Sequence, residues 1–125
     1  EYNKSISLDP ATPMAHLKLG FLYMDRKMYD KAGKEFRKEI AVYPSSANAY
    51  LSLGVICHRN GRTEEAERLW KKALKLDPDN IDAIKNLAIY YQEKSNKPAA
   101  VFYVKELEKR GITPPKEFLK SLNMI

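Results

Sequence analysis

The fold follows from residues 13–46, which read PMAHLKLGFLYMDRKMYDKAGKEFRKEIAVYPSS. Moving this stretch forward by 34 residues, and then by 34 again, brings its key positions onto residues of the same kind. Four columns show the match: Leu19, Leu53 and Leu87; Gly20, Gly54 and Ala88; Ala32, Ala66 and Ala100; Pro10, Pro44 and Pro78. A fixed period of this length predicts a protein built from stacked repeats.

Each column has a physical role in a pair of packed helices. Small residues such as Gly20 and Ala32 let two helices approach closely, and larger ones such as Tyr23 and Phe36 fill the space beside that contact. The proline column ends each second helix, because proline lacks an N–H donor and clashes with the preceding turn. The unit is therefore predicted to be a helix, a turn and a second helix.

The order of these residues resembles the tetratricopeptide repeat, a helix-turn-helix unit of this length. The first copy contains the pattern as His16, Leu19, Gly20, Tyr23, Ala32, Phe36 and Pro44. The second has Tyr50, Leu53, Gly54, Cys57, Ala66, Trp70 and Pro78, and the looser third has Ile84, Leu87, Ala88, Tyr91, Ala100 and Val104. The resemblance implies an all-α, right-handed α-solenoid of such units, closed by a C-terminal capping helix.

The period divides the chain into one domain of successive units. We expect the last helix of an upstream repeat at residues 1–12, three repeats at 13–46, 47–80 and 81–112, and a capping helix at 113–125. The third repeat is divergent because it lacks the closing proline. The chain begins in mid-pattern and without methionine, which favours a fragment of a longer protein.

Apolar spacing and capping residues predict the limits of the helices. The expected helices run from Pro13 to about Arg26, Tyr29 to Val42, Ala47 to Arg59, Thr63 to Leu76, Ile81 to about Lys94, around Pro98 to near Gly111, and Pro115 to Asn123. The residues expected to cap the helices that follow them are Thr12, Ser46, Thr63 and Asn80. Glu39 departs from the family pattern, which prefers a small residue there. We expect it either to extend outward or to lie in looser packing.

The composition narrows the range of functions that the chain could have. The formal charge is +6, but most charges alternate in sign along predicted helices, as on a solvated outer face, so we expect no specific nucleic-acid binding. One cysteine excludes an internal disulfide, and no apolar run approaches the length of a membrane span. The cytoplasm is the default location, although a targeting signal could lie outside this sequence.

No constellation of residues predicts catalysis. Adjacent helical residues such as Cys57 and His58 point about 100° apart, so neither can activate the other directly. Cys57 stands in the column of Tyr23 and Tyr91, which predicts a buried packing role, and His16 is interpreted as a satisfied core or boundary residue. Because metal-ligand spacing and a Gly-rich phosphate loop are both lacking, we expect no enzyme, cofactor or metal site.

The resemblance implies a concave groove, lined by the first helices, that binds peptide segments of partner proteins. The residues facing it follow from spacing, because a stripe displaced by two residues lies about 200° from the buried one. The predicted groove residues are Met14, Leu17, Lys18, Phe21, Met24, Asn48, Leu51, Ser52, Val55, His58, Arg59, Lys85, Asn86 and Ile89. The stripes also contain Asp25, Asp82, Gln92 and Glu93.

The groove composition favours apolar anchoring of a peptide. The chaperone-tail binders of the family grip a C-terminal carboxylate with Lys, Asn and Arg, and the positions corresponding to that clamp do not match it here. They are Leu17, Phe21, Ser52, Asp82 and Asn86. We instead expect Leu17, Phe21, Leu51 and Val55 to form an apolar strip, with Met14 and Met24 at its edges, unless part of it packs within the superhelix.

The leading interpretation is a non-catalytic scaffold for protein–protein interaction. One alternative is a structural module that self-associates through the exposed N-terminal helix around Tyr2, Ile6 and Leu8. A second alternative is a regulatory appendage of a larger enzyme.

Overall fold

The computed structural model describes residues 15–125, and the regular structure in this range is entirely helical. The helices are α1 (Ala15–Asp25), α2 (Tyr29–Val42), α3 (Ala47–Arg59), α4 (Thr63–Leu76), α5 (Ile81–Glu93), α6 (Lys97–Lys109) and α7 (Lys116–Ser121). The predicted all-α solenoid is confirmed. The upstream helix at 1–12, the Thr12 cap and Met14 lie outside the described residues.

Helices pack in chain order, as a solenoid requires. The closest pairs are α1 with α2, α3 with α4, and α5 with α6, and each pair meets the next through α2 with α3 and α4 with α5. Among residues 15–125, the main contacts of each helix pair are therefore with the neighbouring pair, which is the arrangement of stacked helix-turn-helix units.

The small-residue column brings the helices of a pair together. A Cβ added to Gly20 would lie 2.5 Å from Cε1 of Phe36, and one added to Gly54 would lie 2.6 Å from Nε1 of Trp70. In the third pair Val104 takes the place of these aromatic residues, and Ala88 takes the place of glycine. The helix contact thus follows the pairing that the sequence predicts.

Two buried clusters form the core. The first joins α1 and α2 to α3 through Leu19, Phe36 and Leu53. The second contains Trp70 and Leu87 together with Leu119 and Leu122 of the C-terminal segment. The short last helix therefore covers the third pair, as the resemblance implies for a capping helix.

Some helix ends and caps differ from those predicted. Asn80 accepts a hydrogen bond from the backbone N–H of Ala83 at 3.1 Å, as expected. Ser46 occupies the N-cap position of α3 without a side-chain cap bond, and Thr63 is the first residue of α4 rather than its cap. α7 starts after Pro115, whose extended backbone ends the preceding loop, and it is shorter than predicted.

The turns within the three pairs share an unusual backbone conformation. Lys27, Gly61 and Ser95 are spaced by 34 residues and have φ values of 60°, 83° and 59°. Only the glycine of the second pair adopts this left-handed region without steric cost. The repeat therefore keeps this left-handed backbone at Lys27 and Ser95, although neither residue type favours it.

Candidate functional site

The first helices of the three pairs line one cavity of about 460 Å³, which we call the central groove. Its walls are Phe21, Met24 and Asp25 of α1, Asn48, Leu51, Ser52 and Val55 of α3, and Asp82 and Asn86 of α5. Seven of these nine residues are among the groove residues selected from spacing. The groove joins side chains that the 34-residue period places on equivalent faces.

Phe21 is the most accessible apolar residue of the groove wall. Its side chain is 41% exposed. Its ring meets the ring of Phe36 edge-on, with centroids 5.5 Å apart, so one part of Phe21 packs on the core and the rest faces the groove. Such an edge-to-face pair fixes the orientation of the exposed ring.

The other apolar residues of the strip are half-buried. Met24 packs against the core cluster of the first pair, and Leu51 and Val55 pack against that of the later pairs. Internal packing, which the sequence left open for part of the strip, therefore accounts for some of their surface. Each still lines the central groove.

Leu17 departs from the prediction of an accessible anchor, because it is only 2% exposed and belongs to the first core cluster. It lines a side cavity of about 280 Å³ with Glu39, Tyr43 and Asn48, of which Asn48 also lines the central groove. Lys18 is exposed but does not line the central groove. Met14 lies outside the described residues.

Five of the predicted groove residues help to line a second cavity of about 230 Å³. It is lined by His58, Arg59, Asn86 and Ile89, with Val55, Trp70 and Tyr90. Nε2 of His58 lies 3.4 Å from a carboxylate oxygen of Glu93, across from α3 to α5. Since Val55 and Asn86 belong to both cavities, the second continues the central groove.

A third cavity, the C-terminal cleft, extends the groove beyond the second cavity. It was not predicted. Its volume is about 290 Å³, and it is lined by Lys85, Ala88, Ile89, Leu107, Ile112, Thr113, Pro114, Pro115 and Phe118. Ile89 connects it to the second cavity and is 44% exposed. The loop after α6 builds half of the cleft, and that loop falls outside the repeat period.

Two family models for the tetratricopeptide repeat match the sequence, one over residues 47–80 and one over residues 69–102. The helix pairs and their packing agree with these matches. The chain is a tetratricopeptide repeat protein.

Solved structures share this tetratricopeptide fold. MamA (41-end) from Desulfovibrio magneticus RS-1 has 24% identity and a TM-score of 0.76, and the match covers 86% of this chain and 61% of that one. YrrB, described as a tetratricopeptide repeat protein with an unusual peptide-binding site, has 19% identity, a TM-score of 0.78 and coverages of 86% and 56%. The chain thus spans less than two thirds of either protein.

A third structure similar to this tetratricopeptide chain is the first repeat domain of Spaghetti (RPAP3) bound to the HSP90 peptide SRMEEVD. It has 24% identity, a TM-score of 0.70 and a coverage of 75% of each chain. At these identities the likeness establishes the fold. No curated protein matches the sequence significantly.

The tetratricopeptide core contains a buried polar cluster in the first pair. Nδ1 of His16 lies 2.8 Å from Oε1 of Glu35, and both residues are buried, so the prediction of a satisfied core histidine is confirmed. Glu39 is 2% exposed rather than extended outward. Its Oε1 has no hydrogen-bond partner among residues 15–125, and burial raises its pKa against the opposing effects of His16 and the backbone N–H of Leu17.

A second polar network joins α4 to α5 outside the groove. Both Tyr90 and Tyr91 donate hydrogen bonds to the carboxylate of Glu67, which also pairs with Lys71 at 2.9 Å. Burial is the main cause that raises the pKa of Tyr90 to about 12, and the Glu67 carboxylate adds to it. Both tyrosines therefore remain protonated donors near neutral pH.

The residues considered as candidates for catalysis or metal binding lie in surroundings that favour a structural role. Cys57 is 2% exposed, and burial raises the pKa of its thiol, which opposes formation of a reactive thiolate. In the described range, no group of three or more His, Cys, Asp or Glu side chains is arranged to hold a metal ion. The helices of residues 15–125 are too short or too polar to cross a membrane.

Proposed function

We propose that this chain is a non-catalytic scaffold that binds an extended segment of a protein partner in the central groove. The observation that carries the proposal is the partly exposed ring of Phe21, aligned with Met24, Leu51 and Val55 across two repeats. An apolar strip of this kind at the surface of a protein is typical of a contact site.

The similar structures support binding of a peptide by this architecture. Spaghetti was solved with an HSP90 peptide, and YrrB is described as having a peptide-binding site. The proposal transfers only the binding of a peptide to this chain, and the placement of an extended peptide along the first helices rests on the central groove of this structure. The apolar anchors belong to this sequence.

The contribution of Phe21 can be worked out from its exposure. A phenylalanine side chain presents about 200 Å², so its 41% exposed fraction leaves roughly 80 Å² for a partner to cover. At about 25 cal/mol per Å², this area is worth about 2 kcal/mol. Its loss should weaken binding about thirtyfold.

The experiment uses peptides selected from a phage-displayed library of random 12-residue sequences, with affinity measured by fluorescence anisotropy. We expect Phe21→Ser to weaken binding about thirtyfold, as calculated above. Phe102→Ser is the matched control, because Phe102 is 56% exposed on α6 and lines neither the central groove, nor the second cavity, nor the C-terminal cleft. It should leave the affinity unchanged.

Thermal unfolding of both variants separates binding from folding. Equal affinity of Phe21→Ser and the original chain would contradict the proposal. A loss of binding that disappears once the folded fraction is corrected for would assign Phe21 to the core instead.

A further inference from the structure

The wall of the central groove carries charge of one sign. Asp25 and Asp82 line it, and lysine, arginine and histidine are missing from the lining residues that the structure describes. Both carboxylates are exposed, and neither forms an ion pair with a basic side chain of residues 15–125. The groove is therefore locally acidic on a chain whose formal charge is +6.

The basic residues that the sequence placed near the groove lie outside its central part, and His58 and Arg59 line the second cavity that continues it. The guanidinium of Arg59 lies over the ring of Tyr29, 4.3 Å from its centroid. Lys85 lines the C-terminal cleft, and Lys18 lines none of the three cavities. None of the three neutralises Asp25 or Asp82 by direct pairing.

The position of Asp25 is not explained by the stability of its helix. It is the last residue of α1, where the helix dipole is negative and an acidic side chain is unfavourable. Asp82 lies in the first turn of α5, where the dipole favours a carboxylate. Helix stability therefore favours a carboxylate at Asp82 but not at Asp25.

We infer that the central groove selects a segment in which a lysine or arginine stands beside a bulky apolar residue. The apolar side chain would pack on the strip of Phe21 and Val55, and the cation would lie between Asp25 and Asp82. This inference rests on the proposed function, because it specifies the partner of the same groove. A peptide that ends in acidic residues, or one held by its terminal carboxylate, meets repulsion here.

The test uses the same 12-residue phage library, followed by synthesis of the three strongest binders and of versions with each Lys or Arg changed to Gln. We expect selected sequences to be enriched in Lys or Arg within two positions of an apolar residue. Change of that cation to Gln should weaken binding about two- to fivefold, because exposed charge pairs contribute modestly. Added salt should weaken the original peptides more than the Gln versions.

Protein variants locate the effect. Asp25→Asn and Asp82→Asn should each weaken binding about two- to fivefold, and the double variant about four- to twenty-fivefold, because the two free energies should add. Asp30→Asn is the matched control, because Asp30 is an exposed acid in the first turn of α2, as Asp82 is in α5, but does not line the groove. It should change the affinity less than twofold.

The outcomes separate the inference from the function on which it rests. If the library yields no binder, the proposed function fails and the inference fails with it. If binders depend on Phe21 but lack basic residues, or bind Asp25→Asn and Asp82→Asn as tightly as the original chain, only the inference is overturned. Enrichment of basic residues together with sensitivity to both aspartates, and not to Asp30, supports it.

Discussion

Substitution of Gly54 by alanine tests the contact that sets the spacing between the two helices of a pair. The new Cβ would lie 2.6 Å from Nε1 and 2.8 Å from Cδ1 of Trp70, closer than real Cβ atoms come to other heavy atoms. Trp70 is 4% exposed, and its Nε1 donates to the carbonyl oxygen of Leu51 at 3.2 Å. The ring therefore has little room to move, and moving it would break this hydrogen bond.

The expected cost combines three effects of different sign. Alanine in place of glycine inside a helix stabilises it by about 1 kcal/mol. Overpacking of the core destabilises by about 1–3 kcal/mol, and loss of the Trp70 hydrogen bond by about 0.5–1.5 kcal/mol. The clash and the lost hydrogen bond together outweigh the helix preference, so we expect Gly54→Ala to lower the free energy of unfolding by about 0.5–3.5 kcal/mol.

Urea unfolding measures this change. Trp70 is the single tryptophan of the chain and reports on the altered contact by fluorescence, while far-ultraviolet circular dichroism reports on the helices as a whole. The matched control is Gly33→Ala in α2, whose Cβ would meet only Nη1 of Arg37 at 3.4 Å and Cδ1 of Leu53 at 3.9 Å. It should raise the free energy of unfolding by about 0.5–1 kcal/mol.

The two variants together distinguish the clash with Trp70 from the general preference of helices for alanine. Equal shifts of the same sign in Gly54→Ala and Gly33→Ala would mean that helix preference or the unfolded state decides both. The close approach to Trp70 would then have no energetic role.

Three further predictions concern the turns, the buried carboxylate and a cap. Ser95→Gly should raise the free energy of unfolding by up to about 1 kcal/mol, because it relieves a left-handed backbone that Gly61 already accommodates in the preceding repeat; an unchanged urea midpoint would contradict this. Burial raises the pKa of Glu39 in the folded state, so the original chain loses stability as the pH rises from about 4.5 through that raised pKa. Glu39→Gln should therefore gain stability relative to the original chain near pH 7, and the gain should shrink towards pH 4.5; urea titrations with a constant difference would refute it. Asn96→Ala should lower the melting temperature, because it removes the cap bond to the N–H of Ala99, worth about 1 kcal/mol.

The sequence predicted best what depends on neighbours within one repeat. The helix at Tyr29–Val42 begins and ends as expected, because its apolar spacing and the following proline are local signals. The groove positions of Phe21, Leu51 and Val55 followed from the angular displacement along a helix. These residues needed no knowledge of the complete fold.

The predictions that failed concern the burial of residues, which depends on the elements that pack against them. Leu17 lies on the stripe assigned to the groove, yet it is buried, and helical spacing gives a direction without saying what covers that direction. Of the two alternatives given for Glu39, outward extension is wrong, because the residue is 2% exposed. The C-terminal cleft required the path of the loop at 110–115, where the repeat period has ended.

One missed feature did have a signal in the sequence. Gly61 lies between the two predicted helices of the second repeat, and Lys27 and Ser95 occupy its column in the other repeats. Because a repeat imposes one backbone on all its copies, the glycine in one copy indicates the left-handed conformation in the other two. The left-handed turns at Lys27 and Ser95 follow from the backbone conformation that the three copies share, and not from the similarity of their side chains.

The packing columns also explain how the groove is held. Gly20 has no side chain to push Phe36 away, so the ring of Phe36 reaches the surface of α1, where it meets the exposed ring of Phe21 edge-on. The same contact that joins the two helices of the first pair therefore orients the main apolar anchor proposed for the partner. In the third pair Ala88 and Val104 replace the glycine and the aromatic ring, and the position equivalent to Phe21 is Val55 in the second repeat and Ile89 in the third. The aromatic anchor and the glycine–aromatic contact coincide in the first repeat, so the exposed ring of the central groove is oriented at that end by the contact that joins the helix pair.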